Sequence, residues 1–219
     1  ATEGVRVALV SRSVKKLAAA LDTVAGDPIF VAADLTDDRS IDAMLSEVAA
    51  TLGHVDILVA NAGGPPPGTF TSTDYDLYPA ALQLNLLAHV RMCQALIPPM
   101  RERGWGRVVA ITSATVREPS PNLMLSNTAR AGLTAFLKTT ATEVAGDGVT
   151  VNSVQPGLHT TGRLHELYDD LDVVAADHPM GRIGEPADFG RIVAFLCSET
   201  ANYINGTGLP VEGGSLKGS

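Results

Sequence analysis

Cysteine is scarce in this chain: Cys93 and Cys197 are the only two in 219 residues. Each falls within an apolar pattern of helical spacing, which points to buried free thiols in a reducing cytoplasm rather than to a disulfide framework. Positive charge is scarce as well. Sixteen Lys and Arg stand against 24 Asp and Glu, for a net charge of −8 and a pI near 5.0, which argues against nucleic acid or an anionic membrane as the main partner. No apolar run approaches the roughly 18 residues of a membrane span, no signal peptide is visible, and there are neither internal repeats nor low-complexity tracts. His159, His165, Glu166, Asp169 and Asp170 crowd one polar stretch, but no pair among them has a diagnostic ligand spacing, so no metal site is assigned.

With 45% hydrophobic residues, the chain can bury one substantial core and is read as a single domain over residues 1–219. Residues 1–3 followed by Gly4 read as the last turn of a helix and its glycine stop. Val5, Val7, Ala8, Leu9 and Val10 then make a buried strand ending in Ser11, Arg12 and Ser13. A helix over 14–24, a strand over 29–33 ending at Asp34 and Leu35, a helix over 37–52 stopped by Gly53, and a strand over 56–60 follow. That strand runs into Asn61, Ala62, Gly63 and Gly64. A stiff Pro65–Pro66–Pro67–Gly68 loop leads to a long helical region over 74–103 that contains Asn85. The next buried strand, 107–112, places Ser113 at its C-terminal end. After Pro119 and Pro121 a helix begins at Asn122, its apolar face marked by Leu125, Ala129, Leu133 and Leu137, with Ser126 and Arg130 four residues apart on another. A strand over 149–154 leads to Pro156, Gly157, His159 and Thr161. A polar stretch over 162–179, a helix over 185–198 and a final strand over 206–211 complete the order. Strands alternating with helices imply a right-handed, doubly wound parallel sheet in three layers, with ligands bound beyond the carboxyl ends of its strands.

These residues, in this order, resemble the short-chain dehydrogenase/reductase family, and the 3-oxoacyl-acyl-carrier-protein reductase branch in particular. The resemblance runs from end to end. It implies a Rossmann-type dinucleotide fold whose first strand and glycine-rich phosphate loop precede the strand at residue 5 and are missing from the given chain. It implies that Asp34 and Leu35 meet the adenine, that Asn61, Ala62 and Gly63 approach the ribose, and that Pro156, Gly157 and Thr161 grip the nicotinamide carboxamide. Ser113 takes the place of the family's catalytic serine, Asn85 that of its helical, water-holding asparagine, and residues 162–179 that of its mobile substrate lid. Homodimers or homotetramers through the 74–103 and 122–144 helices are implied too. Asp34 can instead cap the following helix, Asn85 can be satisfied within a helix interface, and Arg12 can be a solvated charge.

Two features depart from the family pattern. An acid after the second strand of such a fold, the strand at residue 5 here, would bind an adenosine ribose, but this chain has Ser11, Arg12 and Ser13, suited to a 2′-phosphate, which favours NADP(H) over NAD(H). The family's Tyr-x-x-x-Lys pair is replaced by Ser126 and Arg130, thirteen positions after Ser113. A serine hydroxyl is far less acidic than a phenol, and Arg stays protonated, so Ser126 needs a relayed proton, by way of Asn85 and a water, or else His159 is the donor. The chain is thus read as an oxidoreductase acting on a small carbonyl or alcohol, or alternatively as a relative that kept the fold for ligand binding or assembly without the chemistry.

Overall fold

The computed structural model describes residues 4–20 and 23–218. The helix end expected at residues 1–3 lies outside them. Strand β1 (Ala8–Ser11) leads into α1 (Val14–Ala20) and β2 (Ile29–Ala32), then α2 (Asp38–Leu52) and β3 (Ile57–Ala60). Residues 21–22 of the helix expected over 14–24 are not among those described. Asp37, not Asp34, caps α2 by accepting a hydrogen bond from the Arg39 N–H, and Gly53 ends it at φ 85°, a backbone angle that L side chains rarely adopt.

The expected helical region over 74–103 is present from Tyr75 to Arg103, but it changes helix type along its length. A 3₁₀ turn (Tyr75–Leu77), α3 (Tyr78–Leu82), a π-helical turn (Gln83–Leu87) and α4 (Ala88–Arg103) follow one another. The π turn sits on Asn85, and such bulges are frequent at functional sites. Then come β4 (Gly106–Ile111), a 3₁₀ turn (Ala114–Val116), α5 (Met124–Val144), β5 (Val149–Pro156), the short helices α6 (Gly162–Leu167) and α7 (Leu171–Ala176), α8 (Pro186–Leu196) and β6 (Gly208–Val211). The 162–179 stretch is therefore largely helical.

All strand pairs are parallel, in the order β3-β4-β5-β6, with β1-β2 as a separate pair. Side chains alternate across a strand, and β4 and β5 are covered on both faces. Val108, Ala110, Val149 and Val151 pack with Ile41, Met44, Met92, Met100, Leu133 and Leu137 from α2, α4 and α5. Val109 and Val154 pack with Leu196, and with Phe189 and Ile192 from α8. The result is the expected three-layer, doubly wound α/β architecture.

β1 and β3 depart from the expectation of buried strands: Val10 is 39% and Val59 is 46% exposed. Each lies at an unpaired edge. They nevertheless share one core, which takes in Val31 and Ala33 beside β1 as well as Leu58 and Ala60. Cys93 is a buried free thiol as expected, whereas Cys197 is only half-buried; burial pushes the two up to about 12 and about 11, so neither is a nucleophile at neutral pH.

Candidate active site

Arg130 is the centre of the site. It lies on the second turn of α5, is only 7% exposed, and its guanidinium is spread over three elements. Nε donates to Ser126 Oγ at 3.2 Å, one terminal nitrogen to the Ile111 carbonyl at 2.7 Å, and the other to the Ala62 carbonyl at 3.5 Å. One side chain thus joins the α5 hydroxyl, the end of β4 and the segment after β3. Burial, aided by the nearby charge of Arg163, lowers its pKa to about 10; it remains a cation at neutral pH.

Ser113 follows two residues after Ile111. Its Oγ accepts from the Thr115 N–H at 3.2 Å and from Thr115 Oγ1 at 2.9 Å. A serine oxygen has two acceptor lone pairs and one proton, so Thr115 occupies the acceptor side and leaves the Ser113 O–H to donate. The same argument holds for Ser126, which accepts from Arg130. α5 packs against the 3₁₀ turn that Ser113 opens, and against the π turn carrying Asn85. Asn85 has no exposed surface, and among the described residues its amide oxygen and nitrogen both lack hydrogen-bond partners. It is not the satisfied interface asparagine of the alternative reading.

At the carboxyl end of β1, Ser11 Oγ accepts from the Ser13 N–H at 3.2 Å and Ser13 Oγ from the Lys16 N–H at 3.2 Å. Both hydroxyl protons remain free, with exposed Arg12 between them. The Asp34 carboxylate accepts from Thr36 N–H and Oγ1 at 2.9 and 2.7 Å, which, with Arg12 nearby, holds it below the usual carboxylate range. Leu35 packs on the core. Asn61 is exposed just beyond β3, which among the described residues pairs with β4. Ala62 is held by Arg130, and a Cβ on Gly63 would meet nothing within 4 Å, so the β3 end opens onto free space.

Pro156 closes β5. Gly157 N–H donates to the Val211 carbonyl at 2.9 Å, and a Cβ there would lie 2.6 Å from that of Glu212; only glycine permits this approach. Thr161 precedes α6 and its side chain makes no capping bond. His159 is turned elsewhere: its Nδ1 is 3.3 Å from the Gly157 carbonyl and its ring packs edge-on to Phe189 at 5.0 Å. The structure thus gives no support to His159 as the alternative proton donor.

Three residues escaped the sequence reading. Thr115 orients Ser113. Arg163, on α6, donates to the Pro65 carbonyl at 2.8 Å and pairs with Glu166 at 2.9 Å, which closes the lid stretch onto the proline loop. His89, one turn beyond Asn85, is fully buried. Spacing from Asn85 could have singled out His89; Arg163 carried no local signal, since its partner lies 98 residues away.

A Rossmann-type sheet with a serine at the β4 end and a hydroxyl–cation pair on the next helix defines a class of dinucleotide-dependent oxidoreductases. The family model described as Enoyl-(Acyl carrier protein) reductase matches residues 1–215. Among curated relatives, a 3-oxoacyl-[acyl-carrier-protein] reductase from Haemophilus influenzae is 34% identical over 182 residues, covering 83% of this chain and 75% of that protein. Among solved structures, L-sorbose reductase from Gluconobacter frateurii, complexed with NADPH and L-sorbose, is 32% identical with TM-score 0.91, covering 99% of this chain and 89% of that one. An NADPH-bound short-chain oxidoreductase from Pseudomonas aeruginosa PAO1, described as containing an atypical catalytic center, is 27% identical with TM-score 0.91, covering 100% and 90%. The chain belongs to the short-chain dehydrogenase/reductase family of NAD(P)-dependent oxidoreductases, with relatives of the 3-oxoacyl-acyl-carrier-protein reductase kind.

Proposed function

We propose that this protein transfers hydride between NADP(H) and a carbonyl or secondary alcohol, with 3-oxoacyl thioesters and small ketones as the substrate class. The observation that carries this reading is the buried Arg130, which presents Ser126 beside the β4 end that bears Ser113.

The residues present fit a dinucleotide. The space beside Gly63 leaves room at the β3 end, and Ser11, Arg12 and Ser13 offer hydroxyl protons and a cation for a 2′-phosphate. Asp34 and Leu35 would meet the adenine, Asn61, Ala62, Gly63 and Arg130 the ribose, and Pro156, Gly157 and Thr161 the carboxamide. When bound, the cofactor supplies a hydride to the carbonyl carbon.

The chain's own residues handle the oxygen. Ser113 donates its uncommitted O–H to the carbonyl oxygen and orients it. Ser126, accepting from Arg130 Nε, gives its proton to the developing alkoxide. Arg130 stabilises the oxygen left on Ser126, as a neighbouring cation favours a deprotonated group. The orphaned amide of Asn85 holds a water in the path that restores the proton. The relatives whose names include NADPH favour NADP(H), as does Arg12. Assembly as a homodimer or homotetramer through α4 and α5, and residence in the cytoplasm, complete the reading; no helix among the described residues is long and apolar enough to cross a membrane.

Titration of NADPH and NADH followed by fluorescence, and then oxidation monitored against ketones and short 3-oxoacyl thioesters, tests this directly. Saturable NADPH binding with turnover is expected. Binding or assembly without turnover on any carbonyl would favour the non-catalytic alternative.

A further inference from the structure

His89 opens α4, has no exposed surface, and neither of its ring nitrogens completes a hydrogen bond among the described residues. Asn85, four residues earlier, is equally buried, and both polar atoms of its amide are unpartnered. Side chains at this spacing lie one above the other on a helix. Four orphaned polar atoms therefore share one strip, in an interior where nearly all buried polar groups find partners.

What faces the strip is the active site. The Ala60 carbonyl, at the end of β3, approaches the His89 ring without forming a bond of ordinary geometry. The Arg130 charge acts on the same ring, and Arg130 holds Ser126. Buried polar atoms left without protein partners in this way are the groups that ordered water satisfies.

We propose that His89 is the positioning residue of a proton path: with water held between its ring and the Asn85 amide, it returns to Ser126 Oγ the proton that Ser126 gives to the substrate oxygen. This inference rests on the reductase reading above. As the new substrate O–H bond forms, the Ser126 O–H bond breaks; Ser126 Oγ then takes a proton from the water, and the water takes one from a His89 N–H in concert with protonation of the other ring nitrogen by a proton passed in from bulk through held water, so that the neutral ring changes tautomer. No net charge accumulates on the ring, and the reverse sequence serves alcohol oxidation. Burial, with the Arg130 charge adding to it, pushes His89 down to about 4, so at neutral pH the ring has one donor and one acceptor nitrogen. That is the state a two-sided relay requires.

The test compares His89→Gln and His89→Leu with wild type in the full chain. Each variant is expected to lower kcat about 10-fold or more, at the low side of a lost proton-transfer group, with KM and NADPH affinity nearly unchanged and a larger solvent deuterium isotope effect. Leu fills the site with apolar volume and keeps a folded variant available if Gln destabilises the core. Wild-type kcat and isotope effect in either folded variant would overturn the proposal. Independently of turnover, ¹⁵N-histidine spectra of wild type should show a neutral His89 whose ring N–H exchanges with water, and Asn85→Leu should slow that exchange. Turnover by a protein whose His89 N–H is protected on the Ala60 carbonyl would overturn the relay alone. An exchanging ring in a protein that oxidises no NADPH would overturn both readings.

Discussion

The β4–β5 centre and the β1–β2 pair follow the same strand–helix logic but are built to different tolerances. Seven of the eight residues of β5 are buried in one unbroken run, whereas β1 has no fully buried residue. The difference follows from what flanks each strand: β5 pairs with β4 and β6 and is covered by α5 and α8, whereas among the described residues β1 pairs with β2 alone. The proton transfer proposed for Ser113 and Ser126 would demand close placement, which the clamped centre can supply; the phosphate contact proposed for Arg12 would demand charge and reach.

Removing a hydroxyl from the rigid centre should have the largest effect. Ser113→Ala or Ser126→Ala is expected to lower kcat by about 10² to 10⁴ with NADPH affinity little changed, measured by steady-state NADPH oxidation. Conversely, Ser126→Tyr with Arg130→Lys should raise ketone reduction if the pair occupies the proton-donor position; a folded, NADPH-binding double variant with unchanged rate would break the assignment of that helix. Next comes packing. Leu133→Ala, at 0% exposure, should cost about 2–5 kcal/mol, and Val10→Ala, at 39%, about 0.5 kcal/mol or less, as read from urea midpoints. Equal losses would erase the contrast between the two regions.

Acid should weaken the centre through His89. The folded protein resists protonating this ring down to about pH 4, while the unfolded chain takes the proton near the ordinary histidine value of 6.5. Stability is therefore full above about pH 6.5 and falls as pH drops toward 4, by up to about 3 kcal/mol. The difference between wild type and His89→Leu, measured by denaturant unfolding across that range, isolates the effect from other titrating groups. In the open region the effect falls on cofactor binding: Arg12→Ala should weaken NADPH binding about 10- to 100-fold, the loss of one or two charge-assisted bonds, while NADH binding and kcat at saturation hardly move.

Much of the fold was legible because its signals are local. The β-branched runs at 57–60, 107–111 and 149–154 announce strands, and the 3.6-residue spacing of Leu125, Ala129, Leu133 and Leu137 announces α5, whose observed start at Met124 differs from the expected one by two residues. The π turn at Gln83–Leu87 was not legible, since its amino acids suit an ordinary helix and only packing against α5 shows the departure. The exposure of Val10 and Val59 was equally hidden, because a buried and an edge strand share the same apolar composition.

The amino-acid sequence by itself determined the order of strands and helices, the family, and the identity of the groups at the catalytic positions, because periodicity, turn residues and motif order are properties of neighbours along the chain. Only the tertiary structure decided how those groups work. That Arg130 spans Ser126, Ile111 and Ala62, that Thr115 holds the acceptor side of Ser113, and that Asn85 and His89 face inward without partners are all consequences of packing between distant segments, where burial strengthens each polar contact and makes each missing one count.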